Sequence, residues 1–509
     1  MSLTARPLLL MSLLLLGLVS RVGADEGMWT FDNFPTATVA EKHGVTIDAP
    51  WLDAARLATV RLENGCTGSF ASADGLVLTN NHCVWSCVRN LSSDERNLSD
   101  EGFLAKRRGQ ELRCPGQQVS VLVAYEDVTD TVRAAAAGLE AAAANDARKA
   151  RLTQLESACS KADQDLRCET VTLYEGGQYF LYTYRRYDDV RLVFAPELDI
   201  AAFGGDPDNF NFPRWCLDMS FLRAYDGDGN PAHTPNHLRW RASGPKSGEP
   251  VLVTGHPGNT SRLLTVAELA MLREIEYPTW IEAIAELRGR MLEWGRTGDA
   301  AGRIVQQRIL GVENGLKVRR NQLRALLDQD NMARKIADEE ALRDAIAADP
   351  ALDAAYGEAW TLIDTAMAAH RRLYDEHRYV ENRAGLRGDL YGYARTLVRG
   401  ALERRRPNEE RYREYTDAAL AQREQRLFAQ RPINDDYERL QLRFSLEKLR
   451  EHLGPDSEIV KLILGTSAPD RLANLLVDGT TLGDAAVRRA LWDGGLEAVQ
   501  ASDDPMVPL

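Results

Sequence analysis

The pattern of apolar and polar positions changes its period part of the way along this 509-residue chain. From about residue 25 to residue 262, short runs rich in β-branched and aromatic residues are separated by Gly, Pro, Asn or Asp, which is typical of strands joined by turns. The runs are GLVLTN, VSVLVAYEDV, ETVTLYEGGQYFLYTYRRY, VRLVFAP, DMSFLRAY and PVLVTGHPG. Many short strands at this spacing predict a β-barrel or a β-sandwich. One stretch rich in Ala and Leu, DTVRAAAAGLEAAAANDARKARLTQLESA, predicts a helical insert among them.

Beyond residue 262 the apolar residues recur every three or four positions, which places them along one face of a helix. Ile281, Ile284 and Leu287 show this spacing, and it continues through VENGLKVRRNQLRALLDQ, GEAWTLIDTAMAAHRRLYDEHRYV and YERLQLRFSLEKLREHL. We therefore predict a β-rich portion at residues 25–262 and an all-helical domain at residues 263–509. Charged runs such as ERRRPNEERYRE are expected to be solvated helix faces and not a binding patch.

The first residues predict export from the cytoplasm. Arg6 precedes an apolar run from Leu8 to Val19, and small residues end at Ala24, which is the pattern of a secretory signal peptide at residues 1–24. A membrane anchor would need about 20 unbroken apolar residues, and this run is shorter. Cleavage after Ala24 would leave a periplasmic or secreted protein that is not inserted in the membrane.

Composition and motifs argue against several classes of function. The net charge of -13 disfavours a nucleic-acid partner, because phosphate binding requires an excess of Lys and Arg. The stretch Asp226–Asn230 resembles the start of a calcium loop, but Pro231 and His237 stand where that loop needs Gly and Glu. The chain has no HExxH motif, which disfavours a metallopeptidase. We predict no metal and no cofactor.

The cysteines support an oxidising compartment. All seven lie in the first half of the chain, and an odd number leaves at least one free or paired outside the chain. We predict that Cys66 pairs with Cys83. For the others several pairings are open, and the one that joins neighbours along the chain is Cys87–Cys114 and Cys159–Cys168, with Cys216 left over.

Two residues in the β-rich portion are candidates for proton chemistry. His82 comes directly after an apolar strand-like run, and a disulfide at Cys83 would fix its backbone in place. A general base needs such a fixed position because proton transfer requires contact between heavy atoms at about 3 Å. Asp218 precedes another strand-like run, where a carboxylate could orient an imidazole. Taken alone, a histidine such as His82 is more often structural or merely exposed, and an aspartate such as Asp218 more often caps backbone amides.

Two longer stretches, GCTGSF…GLVLTNNHC and FGGDPDNFNFPR…D, closely resemble motifs of the bacterial S46 peptidases, which are dipeptidyl-peptidases. Sequence similar to that family extends from about Met28 to the end of the chain. The resemblance implies a mixed α and β fold, in which a large all-helical domain is inserted between the parts of a chymotrypsin-like double β-barrel. The second barrel would be incomplete in this chain.

The resemblance also implies roles for individual residues. His82 and Asp218 would be the catalytic histidine and aspartate of a Ser-His-Asp mechanism, and TNNHC departs from the usual TNHHC at Asn81. Asn209 and Phe210 would hold the free amino terminus of a peptide substrate. The family often has Trp where Phe210 stands, so the indole N–H donor is lost. The helical domain would cap the cleft and admit only peptide ends, and homodimers are usual among such enzymes.

The serine that such a mechanism needs is not identified in the sequence. The family's serine lies in a GNSGSP-type stretch, and no Gly-x-Ser-Gly occurs here. Ser69 matches a family position that is not the nucleophile, and we expect Ser261 and Ser467 to be turn residues. Loss of a triad serine lowers the rate roughly a millionfold in a well-studied protease. We therefore expect the chain to be an inactive part of a dipeptidyl-peptidase, with no readable P1 preference. The alternatives are a non-catalytic secreted peptide-binding protein or the product of a truncated gene.

Overall fold

The structure is a computed structural model that describes residues 27–63, 65–93, 95–161, 166–203, 205, 211, 213–257 and 261–509, with only the backbone at residue 307. The predicted signal peptide at residues 1–24 lies outside these residues. The fold is mixed α and β, as predicted, with a large antiparallel sheet followed by a long series of helices.

The strands of the described residues all belong to one sheet, whose neighbours pair antiparallel in the order β4-β9-β10-β3-β2-β1-β6-β8-β7, with β5 paired to β9. In chain order they are β1 Thr59–Leu62, β2 Thr67–Phe70, β3 Leu76–Thr79, β4 Phe103–Leu104, β5 Leu112–Arg113, β6 Val119–Asp127, β7 Leu166–Leu173, β8 Gln178–Tyr187, β9 Asp189–Ala195 and β10 Ser220–Tyr225. The alternating runs in the sequence predicted most of them, since β-branched and aromatic residues pack well on a pleated surface.

Five of these strands, β9, β10, β3, β2 and β1, form a ring. The chain segment that contains β5 and β6 closes it. At one end Leu112 pairs with Leu192 on β9, and at the other Ser120 pairs with Arg61 on β1. The strands β10, β3 and β2 lie between β9 and β1, so the segment meets both ends of this series. Apolar side chains from these strands fill the interior, and Val77 and Leu222 are fully buried there. No second ring occurs in the described part of the chain, so the double barrel is not confirmed.

Seven α-helices accompany the sheet among the residues described before residue 257. They are α1 Thr36–His43, α2 Ala49–Ala58, α3 Trp85–Leu91, α4 Leu98–Glu101, α5 Thr129–Ala136, α6 Ala141–Ser160 and α7 Leu198–Ala201. The predicted helical insert is present but is split into α5 and α6, and Gly138 between them adopts a left-handed backbone (φ +74°) that favours glycine. The sequence analysis did not predict α1 to α4 or α7.

The prediction of a strand at PVLVTGHPG is wrong. Residues 250–257 have no regular secondary structure, and the side chains of Val251 and Val253 are 70% and 97% exposed. A strand needs a neighbour that accepts and donates its backbone hydrogen bonds, and among the described residues this segment has no strand partner, since its amide at His256 donates to the hydroxyl of Thr67 (2.9 Å). Alternation of apolar residues was therefore not sufficient to form a strand here.

The chain is almost entirely helical from residue 266 onward. The α-helices are α8 Val266–Met271, α9 Tyr277–Gly295, α10 Asp299–Leu327, α11 Gln329–Ala348, α12 Pro350–Tyr356, α13 Ala359–Glu376, α14 Asp389–Glu403, α15 Asp417–Phe428, α16 Asp435–Leu453, α17 Glu458–Leu464, α18 Pro469–Gly479 and α19 Ala485–Gln500. Two π-helical turns, Leu272–Glu276 and His377–Glu381, extend α8 and α13. A capping box formed by Thr265 and Glu268 fixes the start of α8, close to the predicted boundary at residue 263. No helix within the described residues combines the length and apolar content that a bilayer-spanning segment requires.

The sheet and the helices have separate apolar cores and meet through polar contacts. The largest core lies among α14 to α19, where Leu446 and Leu449 are fully buried. At the junction Arg413 donates a 2.5 Å hydrogen bond to the carbonyl oxygen of Thr170, and Arg426 donates a 2.8 Å bond to that of Glu63. The division into two domains at residues 262 and 263 remains a prediction, but it agrees with these separate cores.

Candidate active site

Strand pairing brings His82 and Asp218 together across 136 residues of sequence. In the antiparallel pair of β3 and β10, Thr79 stands opposite Ser220. The chain that leaves β3 therefore runs beside the chain that enters β10. His82 lies in a short 3₁₀ turn, Asn81–Val84, directly after β3, and Asp218 comes two residues before β10. The register of one strand pair thus places both side chains on the same edge of the sheet.

The carboxylate of Asp218 holds His82 at two points. His82 Nδ1 lies 2.8 Å from Asp218 Oδ2, and the backbone amide of His82 donates a 3.0 Å hydrogen bond to Oδ1. Because a carboxylate can only accept in such a bond, Nδ1 carries the proton when the imidazole is neutral. The lone pair of the ring then lies on Nε2, where it can accept a proton.

The surroundings of Asp218 keep its carboxylate ionised. Burial alone would raise the pKa of Asp218, but hydrogen bonds from the ring and the amide of His82, together with the nearby charge of Arg214, hold its pKa below the usual value. Asn80 Nδ2 adds a 3.0 Å bond to the carbonyl oxygen of Asp218 and a longer bond of 3.3 Å to Oδ2. An ionised carboxylate in this position stabilises the imidazolium that forms when Nε2 takes up a proton.

A disulfide and a buried hydrogen-bond chain support the turn that carries His82. Cys83 is bonded to Cys66, which directly precedes β2, with 5.9 Å between their Cα atoms. On the other side, the buried Asn81 donates to the hydroxyl of Ser220 (3.1 Å) and accepts from the indole N–H of Trp85 (2.7 Å). The Trp85 ring also packs edgewise against the His82 ring, with 6.1 Å between centroids. These contacts fix the backbone on both sides of the histidine.

The other cysteines form the pairs that the sequence predicted. Cys87 is bonded to Cys114 and Cys159 to Cys168, and Cys216 is free. Ligand atoms of Cys66, His82 and Cys83 lie within 4.8 Å of one another, as in a metal site. Because both sulfurs belong to one disulfide, only the imidazole remains as a ligand, and this cluster does not suit a metal ion.

The described structure shows no hydrogen bond between His82 and the serines singled out in the sequence. Asn209 and Phe210 lie outside the described residues. Ser69 is in the middle of β2, Ser261 lies in a turn before α8, and Ser467 follows α17. The His82 side chain is 49% exposed, and no described residue hydrogen-bonds its Nε2. The ring nitrogen that would receive a proton, Nε2, is therefore accessible to solvent.

Sequence analysis did not identify the part played by the asparagines beside His82. Asn80 binds Asp218, and Asn81 links Ser220 to Trp85, yet the sequence marked Asn81 only as a departure from a family pattern. Two consecutive asparagines at the end of an apolar strand were the available signal. Their partners lie on a distant strand, so only the register of β3 with β10 could reveal them.

Comparison with known proteins relates the whole chain to one family of peptidases. The family model described as Peptidase S46 matches residues 24–509. The Asp/Glu-specific dipeptidyl-peptidase of Shewanella putrefaciens is 27% identical over 513 residues, and dipeptidyl-peptidase 7 of Capnocytophaga gingivalis is 30% identical over 284 residues. The crystal structure of Porphyromonas endodontalis DPP11 in complex with the dipeptide Arg-Glu is similar in fold, with a TM-score of 0.66 at 21% identity.

Each of these alignments covers a larger share of this chain than of the relative. The alignment with the Shewanella protein covers 96% of this chain and 68% of that protein, and the alignment with the Capnocytophaga protein covers 52% and 40%. The DPP11 match covers 95% of this chain and 72% of that structure. This chain therefore corresponds to only part of the length of each relative.

Proposed function

This chain belongs to the peptidase S46 family, and from that premise we propose that His82 and Asp218 are the general base and the orienting carboxylate of a serine-type dipeptidyl-peptidase. The observation that carries the proposal is the 2.8 Å contact between His82 Nδ1 and Asp218 Oδ2. The second carboxylate oxygen binds the histidine's own amide, so the ring and the carboxylate are held in one relative orientation. A catalytic base requires this arrangement, whereas a histidine that only packs against its neighbours does not.

The proposed reaction uses the exposed nitrogen of His82. A serine hydroxyl placed at Nε2 gives up its proton to that nitrogen while its oxygen bonds to the carbonyl carbon of the peptide. The imidazolium that results is stabilised by the ionised carboxylate of Asp218. The proton then passes from Nε2 to the amine that leaves as the peptide C–N bond breaks. Water repeats the sequence and releases the dipeptide from the serine.

The serine in this proposal is not among these 509 residues. The sequence contains no Gly-x-Ser-Gly, and Ser69, Ser261 and Ser467 lie in a strand or in turns. We therefore propose that this chain alone does not hydrolyse peptides. In the same proposal the ring of strands is the first barrel of a chymotrypsin-like pair, and the helices form a cap over the cleft.

The proposed substrate is a peptide with a free amino terminus. The relatives are named as dipeptidyl-peptidases, and cutting after the second residue requires that the α-amino group be held at a fixed distance from the nucleophile. Asn209 and Phe210 are proposed to receive that group. The pattern of residues 1–24 and the three disulfides support a periplasmic or secreted location.

The proposal can be tested with a chimera. The chain is extended with the part of the Shewanella putrefaciens enzyme that its alignment leaves unmatched, and release of a chromophore from dipeptidyl substrates is measured. We expect no release by the chain alone, release by the chimera, and a loss of release when the substrate is N-acetylated. In the chimera, Asp218→Asn should lower kcat roughly ten-thousandfold because the wrong tautomer is favoured, and His82→Ala should lower it further.

Two outcomes would contradict this function. One is activity of the chimera that survives His82→Ala, and the other is a chimera that unfolds cooperatively, and is thus folded, but releases no dipeptide. If the chain alone also binds peptides with a free amino terminus in that second case, a non-catalytic peptide-binding protein would be supported. As a matched control, His237→Ala removes a histidine of the same portion, and it should leave the activity of the chimera unchanged.

A further inference from the structure

A cavity of about 570 Å³ lies at the junction of the sheet and the helices, far along the sheet from His82. It is bordered by β7 on one side and by α14 and α15 on the other. Four strands, β2, β1, β6 and β8, separate β7 from β3, and neither His82 nor Asp218 lines the cavity. We call it the arginine cavity after the six arginines in its wall: Arg167, Arg383, Arg413, Arg423, Arg426 and Arg431.

Three of these arginines are already neutralised by carboxylates. Arg167 lies 2.5 Å from Glu63, and Arg426 approaches the same carboxylate at 3.3 Å. Arg413 lies 3.3 Å from Glu156. The pairs made by Arg413 and Arg426 join the helices to the sheet, and the Arg167 pair lies within the sheet, so these charges are not available to a ligand.

The other three arginines have no ion pair within the described part of the chain. Arg423 donates through Nε to a backbone carbonyl oxygen (2.8 Å) and covers the ring of Tyr415, which leaves its terminal N–H groups free. Arg431 has a buried Nε without a hydrogen-bond partner. The guanidinium of Arg383 makes no hydrogen bond to any described residue. The terminal N–H groups of these three arginines, which have no protein acceptor among the described residues, are therefore available to an anion in the cavity.

The electrostatics of the wall agree with an uncompensated positive charge. Four carboxylates line the wall, namely Glu156, Glu169, Asp389 and Glu414, and Glu63 beside it makes five against six arginines. Burial lowers the pKa of Arg426, the charge of Glu63 raises it, and the like charges of Arg167, Arg423 and Arg431 lower it again, so that its pKa is below the usual value.

The backbone at Arg383 is also unusual. It adopts a left-handed conformation (φ +57°) shortly after the π-helical turn at residues 377–381. A left-handed backbone is uncommon for residues other than glycine, and both this conformation and π-helical turns are frequent at functional sites. These backbone features place the guanidinium of Arg383 in the cavity wall, where no described residue pairs with it.

We propose that the arginine cavity binds a small ligand with two or more oxyanion groups, carboxylates or phosphates, through the guanidinium groups of Arg383, Arg423 and Arg431. The planar guanidinium fork matches the paired oxygens of both groups. The cavity has the volume of an ordinary small-molecule site. A ligand held there would stabilise the folded chain by mass action.

The test measures binding of two probes to the purified chain. Pyrophosphate represents the phosphates and citrate the carboxylates, each titrated at constant ionic strength in calorimetry and in thermal unfolding. We expect one saturable site per chain and a Tm that rises with the concentration of the probe. Saturation by pyrophosphate only, by citrate only or by both would assign the ligand to phosphates, to carboxylates or to either, and would support the site.

Matched variants connect the binding to these arginines. Arg383→Gln combined with Arg431→Gln should weaken binding of the probe at least about tenfold, whereas Arg443→Gln, which removes an exposed arginine of α16 paired with Glu447, should not. Arg423→Lys keeps the charge and loses the fork, so it should weaken binding even if the double variant fails to fold. The proposal is overturned if neither probe shows saturable binding to the chain, or if the folded variants bind as tightly as the unchanged protein.

Discussion

The sheet and the helices of this molecule are stabilised in different ways. Three disulfides crosslink the chain between residues 66 and 168, and all three join elements of the strand-rich part. The helices beyond residue 266 contain no cysteine and depend on apolar packing, with fully buried residues such as Leu446 and Leu482. The candidate site belongs to the crosslinked part, so its geometry depends on covalent bonds and strand register more than on the large helical core.

The junction between the two parts lets each be perturbed separately. Its contacts are hydrogen bonds and ion pairs, such as Asn408 to Ser157 (2.8 Å) and Arg413 to Glu156 (3.3 Å), and neither apolar core extends across it. Polar contacts of this kind individually contribute little to stability. We therefore expect damage to one core to leave the other largely protected, which three experiments can examine.

The largest expected change in the free energy of unfolding comes from a substitution in the helical core. Leu446→Ala removes a fully buried side chain of α16 and leaves a cavity, which should cost about 2–5 kcal/mol of the free energy of unfolding. Hydrogen exchange should accelerate in peptides of α14 to α19, while peptides around His82 keep their protection. Leu222→Ala on β10 is the matched change in the sheet and should give the opposite pattern. Equal loss of protection in both parts after either change would show that the two parts unfold as one unit.

The second largest expected loss of stability follows from removal of the disulfide beside His82. Replacing Cys66 and Cys83 together by Ser should lower the stability of the strand-rich part by about 2–4 kcal/mol, because the unfolded chain regains the freedom that the crosslink removes. Urea unfolding followed by hydrogen exchange would locate the loss in β1 to β3. Cys216→Ser serves as the control, since this cysteine is free and should matter little. A loss confined to the helices would contradict the proposed division of roles.

The smallest expected effect is on how stability depends on pH. The sign of this dependence should differ between the sheet and the helices. Burial raises the pKa of Glu438 to about 7, above that of an unfolded glutamate, although its carboxylate accepts bonds from the amides of Asp389 and Leu390. Its contribution to helical stability is therefore complete below about pH 4.5 and is lost as the pH rises to about 7. Burial, with the charge of Arg61, lowers the pKa of His256 to about 4. Its contribution to the sheet is complete above about pH 6.5 and is lost as the pH falls to about 4.

Hydrogen exchange across this pH range would measure both contributions. Each should amount to about 1–3 kcal/mol, and Glu438→Gln and His256→Asn should each flatten the dependence only in its own part of the chain. Slopes of the same sign in the sheet and the helices would contradict these pKa directions. A slope in the helices that persists in Glu438→Gln would assign it to another group.

Local patterns in the sequence predicted the elements of this fold better than the contacts between them. The runs that became β3 and β10 were recognisable because alternating apolar side chains cover a buried face, and both candidate residues adjoin these runs. The same pattern failed at residues 250–257, since a strand also requires a neighbour. The start of α2 could have been recognised, because Asp48 caps it and Pro50 lies in its first turn.

Long-range features of the site were beyond such local reasoning. The two bonds from Asp218 to His82, the link from Asn81 to Ser220 and the closure of the ring by residues 112–120 all depend on register between distant segments. A shift of one residue in that register would turn each side chain to the opposite face of the sheet. Sequence patterns specify which face is apolar, but not which residue of a distant strand stands opposite.

The position of β10 between β3 and β9 has a consequence for biosynthesis. Because β10 is the last of these strands to be made, a growing chain presents β3 and β9 with unfilled edges until residue 225 has been synthesised. The crosslink beside His82 needs nothing later than Cys83, whereas its carboxylate partner arrives with the strand that completes the ring. A chain that ends before β10 therefore lacks both the strand that joins β3 to β9 and the carboxylate that orients the ring of His82.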